Sequence, residues 1–211
     1  MPSVVSHAWI PTKKDASADA LKDFEKGGKV LATPGLVHAY QGISTDPNEP
    51  NHVELLALWD SIDSVTAAHA SPDHKAAFES LGAIEDKSNP AIKAHHDVFS
   101  FNNDFAAVAE APAVMFNILV VPAAQQAELD AAWAEVVKGD HPPGLIAGTH
   151  GWGSQEVDVP EIGKGKAFLA VSGWESAAAA EAVKTSAADK GKSLEKFGKP
   201  HVRVITLKKV V

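Results

Sequence analysis

The sequence predicts an α+β chain of two βαββαβ repeats whose antiparallel sheets pack face to face as one intramolecular barrel. Three observations predict it. First, two apolar runs each end in Trp, an acid and Ser: His52-Val-Glu-Leu-Leu-Ala-Leu-Trp59-Asp60-Ser61 and Lys166-Ala-Phe-Leu-Ala-Val-Ser-Gly-Trp174-Glu175-Ser176. Second, the flanks agree in order and spacing: Thr33-Pro-Gly-Leu-Val answers Pro142-Pro-Gly-Leu-Ile upstream, and His95-His-Asp-Val-Phe-Ser-Phe answers His201-Val-Arg-Val-Ile-Thr-Leu downstream. Third, a four-stranded sheet with both helices on one face leaves its other face bare, and a second copy in the same chain can cover it.

The elements follow in order. Val4–Ile10 is β-prone and stops at Pro11. Ala18–Leu31 carries Leu21, Phe24 and Leu31 at helical spacing, weakened at its end by Gly27-Gly28. Leu36–Ile43 and Val53–Trp59 are strands around a loop at Thr45–Asn51. Ile62–Ala68 and Pro72–Leu81 are helical, the second with Ser71 as N-cap and Pro72 at its first position. Asp97–Phe101 closes the first unit, which has the ferredoxin-like order. The second unit repeats it: strand Val114–Val121, helix Ala124–Val137, strands Leu145–Trp152 and Ala167–Gly173, a mostly helical Ala177–Phe197, and strand Val202–Lys208. The expected division is residues 1–105 and 106–211, with Asn102–Pro112 as a short linker.

Composition narrows the chemistry. The 211 residues include no Cys, which excludes disulfides, thiolate metal sites and a Cys nucleophile. Net charge is −8, and residues 1–105 hold most of it, with 8 Lys against 15 acids. Arg203 is the only Arg, so a nucleic-acid partner is not expected. No apolar run reaches the ~20 residues of a membrane-spanning helix, and Met1–Ile10 lacks the layout of a secretory signal. A soluble, cytoplasmic protein is the expectation.

Ten histidines are the natural acid–base candidates, and seven lie in the first half with Tyr40, the only Tyr. His74, Phe78 and Leu81 fall on one stripe of a helix, which turns the imidazole toward an apolar wall. Such a wall, and the helix N-terminus, favour the neutral ring that a general base needs. His69 shares an apolar stripe with Ile62 and Val65. His38 and Tyr40 share one face of a strand, as do His7 and Trp9, and parity does not say whether those faces meet the helices or the barrel interior. His95 and His96 point to opposite faces, and no His-Glu-x-x-His pattern exists, so no metal is expected. Nucleotide-binding signatures are absent, Gly163-Lys-Gly-Lys166 reads as a turn, and His150 reads as turn chemistry at a Gly-flanked strand end.

Trp59-Asp60-Ser61, His69, Pro72-Asp73-His74 and Phe78 together resemble the dimeric α+β barrel proteins, which include antibiotic-biosynthesis-monooxygenase-like domains and stress-responsive A/B-barrel cyclases. The resemblance implies a tandem, fused version, an intramolecular pseudo-dimer that is monomeric or a homodimer. In the cyclases the matching segment supplies the catalytic His. Here Pro72, His74 and Phe78 match, while Ser71 replaces a first His and the partner Tyr would fall near Ala68. The second half has Lys184 and Asp189 at the positions of His69 and His74, which leaves the first half as the candidate site. Haem-binding relatives ligate through a His near the position of Phe78, so that role does not carry over.

The expectation is a cofactor-independent enzyme acting on a small hydrophobic, aromatic or polyketide-like molecule by His acid–base chemistry of cyclase, isomerase or lyase type. His74, His69, Tyr40 and His38 are the candidate catalytic residues, and His7, Trp9, Trp59, Phe78 and Leu81 the candidate binding residues. A cofactor-independent monooxygenase and a non-catalytic small-molecule or haem-binding stress protein are the alternatives.

Overall fold

A computed structural model describes residues 3–13, 33–44, 51–82, 85–88, 94–138, 141–159, 163–186, 194, 196–198 and 200–211. The expected helix Ala18–Leu31 and most of the loop Thr45–Asn51 lie outside the described residues. In chain order the described elements of the first half are β1 Ser3–Pro11, β2 Leu36–Ser44, β3 His52–Trp59, α1 Ile62–His69, α2 Pro72–Gly82 and β4 His95–Phe101. Then come α3 Phe105–Ala109, β5 Ala113–Val121, a 3-10 turn at Ala123–Gln125, α4 Gln126–Val137, β6 Leu145–Val159, β7 Gly163–Trp174, α5 Ala177–Ser186 and β8 His201–Lys209.

The eight strands form one closed antiparallel barrel in the order β1-β3-β2-β8-β5-β7-β6-β4. Within each half the order is that of a ferredoxin-like sheet, β4-β1-β3-β2 and β8-β5-β7-β6. Two seams join the halves. At one, β2 pairs with β8 from Tyr40↔Lys209 to Ser44↔Ile205. At the other, β4 pairs with β6 over Phe99↔Gly153, Ser100↔Trp152 and Phe101↔Gly151. The second seam requires its glycines: a Cβ on Gly151 would sit 2.1 Å from the Ser100 carbonyl oxygen, and one on Gly153 2.1 Å from Asp97 Oδ2. Closure satisfies every sheet edge and buries the bare faces against each other. The interior is packed by Val5, Tyr40, Leu56, Phe99, Phe101, Phe116, Leu169 and Ile205, all nearly inaccessible.

The repeat is visible atom by atom at the turn after each central strand. In the first, the Asp60 N–H donates to the Gly35 carbonyl at 2.9 Å, and Ser61 Oγ caps α1 by accepting from the Ser64 N–H at 3.2 Å. In the second, the Glu175 N–H donates to the Gly144 carbonyl at 2.9 Å, and Ser176 Oγ accepts from the Ala179 N–H at 3.1 Å. Both glycines are left-handed, with φ of 85° and 83°, a conformation that disfavours other residues there. This is the physical content of the Trp-acid-Ser repeat: the acid's backbone closes the turn, and the Ser starts the helix. Ser61→Ala is expected to lower stability by about 1 kcal/mol, read as a shift in urea midpoint at constant slope; no shift would mean that the cap contributes nothing.

Four expectations are corrected. The linker Asn102–Pro112 contains α3, and Phe105, Val108 and Ala109 are buried in the barrel core. The segment is a plug, and Ala111 beside it packs against Gly173, where a Cβ would approach the Ala111 Cβ to 2.7 Å. Gly163–Lys166 is strand, not turn, because the β6–β7 hairpin runs on to Val159↔Gly163. β4 starts at His95, two residues earlier than expected, which fixes both His95 and His96 in the sheet. His150 lies within β6 and packs against Trp133 and Phe168 at centroid distances of 6.0 and 5.6 Å, so it is part of a packed aromatic cluster.

Candidate functional site

A cavity of about 50 Å³ lies between α2 and the outer face of the first sheet. Ser6 and Ala8 of β1, Trp59 of β3, His96 of β4 and His74, Phe78 and Leu81 of α2 are among its walls. None of the described lining residues carries a permanent charge. The sequence builds the wall directly. Ser71 Oγ accepts from the His74 N–H at 3.2 Å, fixing the first turn of α2. From there, His74 and Phe78 stack on each other at 4.6 Å between ring centroids, one turn apart. On the opposite wall, the Trp59 indole N–H donates to Ser6 Oγ at 2.9 Å, so this aromatic is held by its one polar atom.

Three imidazoles meet beside this cavity. His69, the last residue of α1, lies 4.5 Å from His74 and 4.9 Å from His96 between ring centroids. Phe78 touches both His74 and His96, at 4.6 and 5.0 Å. Burial, reinforced by His69, pushes His74 down to about 4. His96 is also pushed down to about 4, by burial first and then by His69 and His74. Burial lowers His69 as well. All three rings are therefore neutral at pH 7. The Nε2 atom of His69 is buried with no hydrogen-bond partner among the described residues. No group of three or more His, Cys, Asp or Glu among the described residues is arranged to hold a metal ion.

The structure separates the nine sequence-derived residues into three groups. His74, Trp59, Phe78 and Leu81 line the cavity, with His69 against it. His7 and Trp9 point into the barrel lumen, on the other face of the sheet. There His7 Nε2 contacts Glu54 Oε2 and the His7 ring stacks on Phe116, while Trp9 packs on His52 at 5.2 Å and under Arg203. Tyr40 and His38 also face inward, but beside the plug. The Tyr40 ring meets Phe105 edge-on, its hydroxyl donates to Glu110 Oε1 at 3.4 Å, and Lys209 Nζ lies 2.7 Å from the same carboxylate and 3.3 Å from His38 Nε2. Burial, aided by Glu110, raises the Tyr40 hydroxyl well above its ordinary value. Tyr40, His38, His7 and Trp9 do not share the cavity of His74, because alternate residues of one strand face opposite sides of the sheet.

Two functional-looking features are not among the nine sequence-derived candidates. His96 is one. The other is a buried ionic cluster in the lumen: Glu54, wholly inaccessible, lies 2.8 Å from Arg203 Nε and 3.7 Å from His52 Nε2. Burial alone would raise the Glu54 carboxyl, but Arg203, His7 and His52 together hold it below the usual carboxylate value. Nearby, Asp97 Oδ1 accepts from the Ser154 N–H and hydroxyl at 3.1 and 2.9 Å and from the Gln155 N–H at 3.3 Å, tying β4 to β6. The signal for this cluster was a Glu inside an apolar strand and a lone Arg.

No family model and no curated protein matches this sequence. Solved structures do match in fold. An anthrone oxidase-like protein superimposes with a TM-score of 0.68 at 15% identity, covering 99% of this chain and 93% of that one. A protein of Lactobacillus acidophilus NCFM, provisionally named a monooxygenase, gives 0.60 at 12% identity over 100% and 95% of the two chains. Another from Fusobacterium nucleatum, with the same provisional name, gives 0.59 at 7% over 99% and 93%. The matches run the full length of this chain, so the barrel of two fused repeats is a fold that those proteins share.

Proposed function

We propose that the protein, a fused α+β barrel with an imidazole-lined cavity, is a cofactor-independent enzyme acting on a small aromatic molecule, and that its reaction is an oxygenation. The observation that carries the reading is His74: an imidazole held neutral in an uncharged wall, opposite Trp59. The names of the fold neighbours, anthrone oxidase-like and monooxygenase, support oxygenation over cyclisation. The cavity volume fits a few waters, so a ring-sized ligand displaces α2 outward as it enters.

The chemistry asks little of the protein. Neutral His74 takes a proton from a C–H made acidic by a flanking carbonyl. The carbanion left behind reduces O₂, forming a C–O bond to a peroxide. His74 returns its proton, and loss of water leaves a carbonyl, so that CH₂ and O₂ become C=O and H₂O. An imidazole with a lowered pKa is a weak base, and the anion forming beside it offsets that weakness by stabilising the imidazolium. Trp59, Phe78 and Leu81 hold the ring plane and exclude water.

Anthrone itself is the first substrate to try. The purified protein is expected to consume one O₂ per anthraquinone formed. His74→Ala is expected to lower kcat at least about 100-fold, the usual worth of a positioned acid–base group. Conversion of wild type and variant at equal rates would overturn the role of His74. An isomeric or dehydrated product formed without oxygen from a polyketide-type substrate would move the protein to the cyclase class.

A further inference from the structure

Deprotonation in an uncharged pocket needs more than a base. Negative charge grows on the carbonyl or phenolic oxygen of the ligand, and a donor must meet it. Tyr40 and His38 cannot, because they lie across the sheet from His74. Besides the base His74, the described cavity walls offer three polar groups in aromatic or hydroxyl side chains that could donate: Trp59, Ser6 and His96. The indole N–H of Trp59 is already given to Ser6 Oγ, which only accepts there and keeps its own proton, so Ser6 and His96 remain and the His96→Phe variant below separates them. His96 stands on β4, flanked by β1 through the pair Ala8↔His96, so its backbone is fixed on a paired strand. The titratable groups around it are His69 of α1, His74 of α2, its neighbour His95 and His7 of β1, all imidazoles, and the Phe78 ring packs on it edge-on.

We propose that His96 is a second catalytic residue of this pocket, a neutral imidazole whose ring N–H donates to the ligand oxygen where charge develops while His74 takes the proton, and that His69, packed against both rings, is a positioning residue for the pair. The inference rests on the reading of His74 as the base. The division of labour follows from placement. His74 is on a helix that opens for the ligand, while His96 is on the rigid wall. A donor on a rigid wall needs no reorganisation as charge appears, which is what makes such donors effective. His69 touches both rings yet lines no described part of the cavity, so it acts through them.

The test uses 4-nitrophenol, a single-ring phenol whose ionisation is visible as yellow absorbance. Bound to the wild type, its apparent pKa is expected to lie at least about one unit below its value on His96→Phe, with His96→Gln, which keeps an N–H, between the two. Equal values on wild type and His96→Phe would overturn the proposal, as would no binding at concentrations on the order of millimolar. If His96→Phe does not fold, the wild type decides by NMR: a hydrogen-bonded imidazole N–H proton assigned to His96 appears on adding nitrophenol, and its absence overturns the donor role. With anthrone, His96→Phe is expected to lose about 100-fold in kcat with little change in KM, and His96→Gln to recover much of it. His69→Leu is expected to lower kcat on anthrone while leaving the Kd for nitrophenol unchanged; a parallel loss of both would mark it as structural packing only. Nitrophenol results as expected without any anthrone turnover would retire the oxygenase reading and leave the donor in place.

Discussion

Arg203→Met is expected to destabilise the barrel by about 3–5 kcal/mol. The guanidinium is 4% exposed and Glu54 is not exposed at all. Removing the cation strands a carboxylate in a lumen walled by Trp9, Phe99 and Phe116, where water cannot replace it. The pair itself adds little net stability, because desolvating two charges nearly cancels their attraction. The double variant Glu54→Leu/Arg203→Met is therefore expected to recover most of the loss. Urea melts of the three proteins check this. An Arg203→Met variant within about 1 kcal/mol of wild type would mean that His7 and His52 alone hold the carboxylate.

Acid is expected to unfold the protein well above the pH at which carboxylates titrate. His74 and His96 have folded-state values of about 4, below the ~6.5 of an unfolded histidine. Between those limits the unfolded chain binds more protons than the native one, so stability is highest above pH 6.5 and falls as pH drops toward 4. Two such groups give a slope of roughly 2 kcal/mol per pH unit near pH 5, which water at the cavity mouth trims. His69, His95, His150 and His201, lowered by burial first in each case, act in the same direction. Glu54, held below its ordinary value, adds its own loss at lower pH, below the ordinary range of a free Glu. Melts from pH 7.5 to 4.5 for wild type and His74→Asn/His96→Asn decide the matter. The variant is expected to show a clearly shallower slope, and parallel curves would rule out these two rings as the source.

The barrel was legible because its repeat is written in residues with fixed backbone duties: a Gly that closes a turn, an acid whose N–H meets it, a Ser that caps a helix. His74 with Phe78 and Leu81 was legible for a similar reason, since a helix of eleven residues shows its stripe. The lumen was not. A strand reveals its inner face by alternation only when the other face is wet. β3 is buried at seven of its eight positions, and β1 at seven of nine. With both faces buried, parity could not say that His7 and Trp9 leave the cavity side while Ser6 and Ala8 stay. His96 was passed over because opposite faces exclude His95 and His96 as a chelating pair, while nothing in the sequence says which of those faces meets α2. The plug was misread because five residues make too little helix to show a period, and Ala-rich segments between repeats resemble spacers.

The strand registers of the two halves can be laid over one another. Trp59 and Trp174 pair with Val4 and Ala113, which makes His7 the counterpart of Phe116, Glu54 of Leu169 and Asp97 of Arg203. At each of these positions one half holds an ionisable group and the other holds a hydrocarbon or the opposite charge. Two identical chains could not do this. A dimer of the first half would set two Glu54 and two Asp97 facing one lumen with no guanidinium to answer them, and a dimer of the second would bury two Arg203 without an acid. Each half is thus spelled to reject its own copy and accept its sequel. Joined in one chain, they meet at high local concentration and in one orientation, and the lumen works as a recognition code that only the fused molecule can read.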